Sequence, residues 1–143
     1  MTSLYGDADD ITRVLDDTSL WFVVGLGNNP ERVAFEVAAA LQGRGMRVIP
    51  IYPRAEVVHG EQGYATIAEA VAAVGIPDVV DIFVRSDRAG AFADEAIAAG
   101  AGAVWFQLGV VDEEAAQRVV DAGITMIMDT CPLIEWRRKT NKQ

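Results

Sequence analysis

The residues with the most to offer chemically are Gly25-Leu26-Gly27-Asn28-Asn29-Pro30-Glu31-Arg32. Two glycines one residue apart let the backbone turn tightly and bring its N–H groups against an anion with no Cβ in the way. A helix starting just beyond them would add unpaired N–H groups and the positive end of its dipole. Asn28 and Asn29 suit capping or left-handed positions, and Pro30 suits the first position of a helix. The chemistry this pattern predicts is backbone recognition of a phosphate. Many strand-to-helix turns carry Gly-x-Gly without a ligand, so the weight of the reading depends on where in the fold the turn lies.

Missing residues narrow the choice of phosphate. Pro30 stands where a dinucleotide fingerprint has its third glycine. The segment Pro50-Ile51-Tyr52-Pro53-Arg54 holds no Asp or Glu for the ribose hydroxyls of NAD. No G-x-x-x-x-G-K-[ST] run is present, and the two lysines, Lys139 and Lys142, lie near the C-terminus, which argues against a P-loop. Arg54 suits a phosphate on a ribose, as in NADP or at the 3′ position of coenzyme A.

Other reactive residues read more simply. His59 is the single histidine and Cys131 the single cysteine, so neither a disulfide within the chain nor a zinc ligand set is predicted. His59 reads as a loop residue. Cys131 reads as a small buried residue, against the alternative of a thiol activated at a helix start. Asp81 is expected to bond to backbone or an arginine, and Asp129 to cap the final helical turn. Gln107 and Gly109 either reach a ligand or serve as satisfied polar residues at a strand end. Trp105 and Phe106 belong to the core, and the basic tail of Arg137, Arg138, Lys139 and Lys142 reads as solvated charge. No catalytic residue and no metal site is assigned.

These residues need a scaffold, and the chain has the means to build one. A length of 143 residues with 51% apolar content supports one core of ordinary size, read as a single domain over 1–143. Apolar runs at Leu20–Gly25, Arg47–Ile51, Val79–Val84, Ala103–Leu108 and Thr125–Met128 alternate with helical patterns. This predicts an α/β, Rossmann-like, doubly wound and mainly parallel five-stranded sheet flanked by helices. The helical patterns are Val33, Val37 and Leu41; Ala89, Ala93 and Ile97; and Ala115, Val119 and Ala122, the last capped by Asp112. A shorter helix covers Ile67–Val74, stopped by Gly75 and Pro77, and a leading helix covers Asp9–Leu15. The segment Arg54–Thr66 reads as a loop with one short strand. The turn at Gly25 thus follows the first strand of the sheet, where ligands of open α/β folds gather. A net charge of -9 argues against nucleic acid and anionic membrane surfaces. The absence of a signal-like N-terminus or a membrane-length apolar run gives a cytoplasmic reading.

Several motifs in order carry a resemblance from about Trp21 to Arg138. They are Val24 to Arg32, Val48-Ile49-Pro50-Ile51-Tyr52-Pro53, Val80-Asp81-Ile82-Phe83-Val84-Arg85-Ser86, Ala103-Val104-Trp105-Phe106-Gln107-Leu108-Gly109 and Met128-Asp129-Thr130-Cys131-Pro132. On these the chain resembles the small bacterial CoA-binding proteins, similar in turn to the CoA-binding domain of the succinyl-CoA synthetase alpha subunit. The resemblance implies coenzyme A or an acyl-CoA as ligand, with its pyrophosphate on Gly25, Gly27, Asn28, Asn29, Pro30 and Arg32. It places the adenosine 3′-phosphate near Tyr52, Pro53 and Arg54, and Val84, Arg85 and Ser86 across the cleft. It also puts the synthetase's phosphorylated histidine in a later domain, so His59 is no counterpart. The chain departs from the pattern at Gly27, Tyr52 and Thr130, where such proteins often carry Ser, Asn and Arg. The function implied is a non-catalytic carrier, sensor or accessory module, with a protein partner or weak self-association left open. The alternatives are an NADP-dependent oxidoreductase and an interaction module that has lost its ligand.

Overall fold

The structure is a computed structural model describing residues 3–141; Lys142 of the basic tail lies outside the described residues. Each short run rich in Val, Ile or aromatic residues forms a strand: β1 (Leu20–Val24), β2 (Arg47–Ile51), β5 (Val79–Ile82), β6 (Ala103–Phe106) and β7 (Thr125–Ile127). All neighbours pair in parallel in the order β2-β1-β5-β6-β7. Counting only these five strands, that is the 2-1-3-4-5 order of doubly wound folds, with its switch point between β1 and β5.

Burial on both faces explains why the strands are apolar almost throughout. On one face Phe22, Val80, Ile82 and Phe106 pack under α3 (Ile67–Val74), α4 (Ser86–Ala99) and α5 (Glu113–Asp121). On the other, Trp21, Val23, Trp105 and Ile127 pack under α1 (Ala8–Asp17), α2 (Val33–Gly43) and α6 (Pro132–Asn141). Trp21 and Trp105 lie with ring centroids 5.8 Å apart on this second face, as core residues. Helix starts follow their capping residues: Asp7, Thr66 and Asp112 each accept a bond from a backbone N–H three residues on. Gly75, at φ 104°, ends α3.

Three local expectations need correction. The segment 54–66 carries two short strands, β3 (Val57–Val58) and β4 (Glu61–Gln62), paired antiparallel, and Tyr64 then bridges to Ile51. The basic tail is not simply solvated charge. It forms α6, whose Trp136 is buried, with Lys139 bonded to Asp16 at 2.8 Å and Arg138 to Glu135 at 3.2 Å. Pro30 is not the first residue of a helix, because α2 begins at Val33. A turn closed by Arg32 N–H on the Asn29 carbonyl at 3.0 Å comes first, and Pro30 takes its second position, where a fixed φ is favourable. No helix among the described residues is long and apolar enough to cross a membrane.

Candidate functional site

β1 ends where Gly25 leaves extended geometry at φ 95°. Its N–H donates to the Ile51 carbonyl at 2.9 Å, and a Cβ there would fall 2.5 Å from the Phe83 carbonyl oxygen. Both the angle and the close approach demand glycine. Leu26, buried, anchors the turn in the core, which leaves Gly27 to Arg32 above the carboxyl edge. Arg32 precedes α2 without supplying a side-chain cap.

Two adjoining cavities flank this turn. One, of about 350 Å³, lies across the β1–β5 switch and is lined in part by Gly25, Arg32, Tyr52, Pro53, Arg54, Val84 and Arg85. The other, of about 420 Å³, is lined by Gly25, Gly27, Asn28, Asn29, Pro30, Arg32, Tyr52 and Arg54, with Glu56. Gly25, Arg32, Tyr52 and Arg54 line both, so the two make one cleft. Of the residues that the resemblance places around the ligand, Ser86 alone lines neither. Its hydroxyl donates to the Gly109 carbonyl at 3.3 Å and accepts from Val111 N–H at 2.9 Å, tying α4 to the loop after β6.

The cleft is locally positive on an acidic chain. Arg32, Arg54, Arg85 and Arg88 all line its first cavity, against one carboxylate, Glu56, in the second. Arg85 is held by Asp87 at 2.7 Å, an exposed pair worth little in itself. Among the described residues the guanidinium groups of Arg32 and Arg54 make no hydrogen bond or ion pair, so both are available to a ligand. Arg88 and Phe92 were missed from sequence. Arg88 follows Arg85 by three residues and Phe92 follows Arg88 by four, and this spacing on the opening turns of α4 is the signal that places all three on one side of the cleft.

Gly27 and Tyr52 are sterically coupled. A Cβ on Gly27 would lie 3.1 Å and 3.3 Å from ring carbons of Tyr52, and 3.4 Å from a Glu56 carboxylate oxygen. Positions 27 and 52 are therefore linked: a side chain at 27 requires the Tyr52 ring to give way by a few tenths of an ångström.

Beyond the switch, a third cavity of about 290 Å³ shares Arg32, Phe83, Val84 and Arg85 with the first and extends to Gln107 and Leu108. Gln107 is buried and its amide donates to Asp81 at 2.9 Å, so Asp81 bonds neither to backbone nor to an arginine. The second carboxyl oxygen of Asp81 has no partner, and burial pushes its pKa up to about 8, only partly opposed by the Gln107 bond. Asp81 thus holds its proton far above the ordinary carboxylate range.

The remaining reactive groups are structural. His59 Nε2 donates to the Phe35 carbonyl at 2.8 Å, and its ring lies 4.1 Å from that of Phe35. Burial raises the pKa of the Cys131 thiol and outweighs the N–H groups of Leu133 and Ile134 at the start of α6, so the thiol is not activated. Asp129 does not cap the last helix; at φ 62° it accepts a bond from Gly109 N–H at 2.8 Å. Among the described residues no cluster of His, Cys, Asp and Glu could hold a metal.

Similarity to known proteins accords with this geometry. A profile of the CoA binding domain matches residues 19–137. The uncharacterized protein YneT of Bacillus subtilis (strain 168) is 32% identical over 122 residues, 85% of this chain and 88% of its own. Among solved structures, Prb, a protein redesigned for binding, is 30% identical with a TM-score of 0.87, covering 99% of this chain and 98% of its own. A hypothetical protein from Pyrococcus horikoshii OT3 is 28% identical with a TM-score of 0.86, covering 96% and 95%.

Proposed function

The chain belongs to the family of CoA-binding domains, and from that premise we propose that it binds coenzyme A or an acyl-CoA as a non-catalytic module. The observation that carries this is the cleft at the β1–β5 switch, where a glycine turn and two uncommitted guanidinium groups, Arg32 and Arg54, converge. Arg32 and the turn from Gly27 to Pro30 take the pyrophosphate. Arg54, beside Tyr52 and Pro53 at the end of β2, takes the 3′-phosphate of the adenosine, with the adenosine itself between Tyr52 and the Arg85–Arg88–Phe92 side. Val84 and Phe83 line the way out toward the pantetheine arm. The reading is non-catalytic because the one carboxylate of the cleft, Glu56, has no histidine, cysteine or lysine beside it in the lining, Asp81 is fully buried, and His59 and Cys131 are held in the packing.

Calorimetry with CoA, dephospho-CoA, NADP and NAD tests this. CoA is expected to bind best. Arg54→Ala should weaken CoA about tenfold or more, the usual worth of a charge-assisted bond, and leave dephospho-CoA within about twofold. Equal losses for both ligands would remove Arg54 from that role. Binding of NADP in preference to CoA would favour an oxidoreductase, and no binding at all would favour an interaction module without a ligand.

A further inference from the structure

Along the carboxyl edge the cavities continue past the nucleotide cleft. The third cavity, at the ends of β5 and β6, shares Leu108 with a fourth of about 260 Å³ at the ends of β6 and β7, beneath α1 and α6. Leu108 is 61% exposed, a large apolar side chain left in solvent at the junction. Nothing in the packing of the core requires it to be there. The walls of the fourth cavity are apolar at Ile11, Leu108, Met128 and Ile134.

Its polar side chains are already engaged within the protein. The Tyr5 hydroxyl donates to Glu113 at 2.8 Å, Asp129 accepts from Gly109 N–H at 2.8 Å, and Thr130 and Arg138 both donate to the buried Glu135. A guest therefore meets apolar side chains and a charge balance of two carboxylates, Asp129 and Glu135, against one guanidinium, Arg138. Such a wall accepts an uncharged aliphatic group and repels a terminal carboxylate.

Reach connects this cavity to the cleft. Neighbouring strands stand about 4.8 Å apart, so the end of β7, three strands from β1, is about 14 Å from the phosphate turn. The pantetheine arm has about as many bonds between phosphate and sulfur as four to five peptide residues, which extend to about 15 Å. An arm running over Val84 and Gln107 delivers its sulfur near Leu108. Building on the CoA reading, we propose that the cavity between the ends of β6 and β7 is the seat of the acyl group, and that the preferred ligand is the thioester of a short, uncharged aliphatic acid.

The test is calorimetry of the full chain with CoA, acetyl-CoA, butyryl-CoA and succinyl-CoA. Each methylene removed from water is expected to tighten binding about threefold to fourfold, so butyryl-CoA should bind at least about tenfold better than CoA, and succinyl-CoA no better than CoA. Ile134→Asp places a carboxylate in the wall, at a first-turn position of α6 that suits the helix dipole. It should bring butyryl-CoA down to the affinity of CoA while CoA itself is unchanged, and Ile11→Ser, on a different helix, should do the same should that variant not fold. Equal binding of CoA and butyryl-CoA by the unaltered chain, or a butyryl preference that survives both substitutions, overturns the acyl seat and leaves the CoA reading standing. Failure of every CoA compound to bind overturns both.

Discussion

The two ends of the carboxyl edge are built on opposite principles. At the β1 end, the turn to Arg32 opens at Gly25 on a backbone angle that glycine takes easily, and the guanidinium groups of Arg32 and Arg54 are left without protein partners. At the β6–β7 end each polar side chain is satisfied within the protein: Asp129 by Gly109, Thr130 and Arg138 by Glu135, Tyr5 by Glu113. Arg32 and Arg54 are exposed, so water satisfies them at little cost and both stay open to an incoming anion. The first end is organised for charge arriving from outside. The second has its polarity closed, and Ile11, Leu108, Met128 and Ile134 share its wall with those paired groups.

The largest expected effect breaks the first end outright. Gly25→Ala combines a disfavoured backbone angle with a Cβ 2.5 Å from the Phe83 carbonyl oxygen. It should destabilise the fold by about 3 kcal/mol or more, seen as a drop in melting midpoint of about 10 °C, with CoA binding lost. Gly109→Ala gives the contrast. That residue also has positive φ, at 86°, but no atom lies within 4 Å of its would-be Cβ, so the cost should be smaller, about 1 kcal/mol. Equal losses for the two would mean that strain, not the approach of Phe83, decides the first turn.

Between the ends lies the Asp81–Gln107 pair. Folded Asp81 keeps its proton up to about 8, whereas an ordinary carboxyl releases it near 3.8. Across that window the unfolded chain binds fewer protons than the folded one, so this group makes stability fall as pH rises from about 4 to about 8. Asp81→Asn stays neutral and keeps an acceptor for the Gln107 amide. In urea unfolding at pH 5 and pH 8 the variant should lose this slope and exceed the unaltered chain at pH 8 by on the order of a few kcal/mol. A pH dependence unchanged by the substitution would show that Asp81 ionises normally.

Much of this was legible in the sequence, and the exceptions have identifiable causes. Strands such as Trp21 to Val24 and Val79 to Ile82 are buried on both faces, so they read as unbroken apolar runs. The Gly25 turn was legible because its residue types are dictated by backbone geometry and not by packing. Only a final turn of α6 was expected, because its buried face is carried mainly by Trp136, with the partly buried Leu133 and Ile134, amid charges that pair with Glu135 of the same helix and with Asp16 of α1. The β3–β4 hairpin was hidden because its strands are two residues each, too short for any alternation to show. Ser86 was placed in the cleft by motif alone. Its true partners, Gly109 and Val111, are more than twenty residues away and left no local trace.

The coupling of Gly27 and Tyr52 offers a finer probe of the first end. Gly27→Ser alone should push the Tyr52 ring into the cleft and weaken CoA several-fold. Tyr52→Asn in the same chain should make room for the hydroxymethyl group and restore binding. A double-mutant cycle is expected to give a coupling of about 1 kcal/mol. Additive effects would mean that the ring moves aside freely and that position 27 is small for some other reason.

The smallest effect concerns the one charge of the wrong sign. Glu56 lines the same cavity as Gly27 and Arg54, so a phosphate seated there meets a like charge across partly solvated space. At a few ångströms in a water-like medium two unit charges interact by about 1 kcal/mol, and Glu56→Gln should therefore tighten CoA about threefold to fivefold at low salt. The gain should fade toward 1 M salt, where the screening length falls to about 3 Å. A gain that persisted at high salt would point to packing around the Tyr52 ring in place of charge. Weaker binding would show that the carboxylate helps to hold the turn, and the contrast between an end organised for anions and an end closed to them would then be less sharp than its side chains suggest.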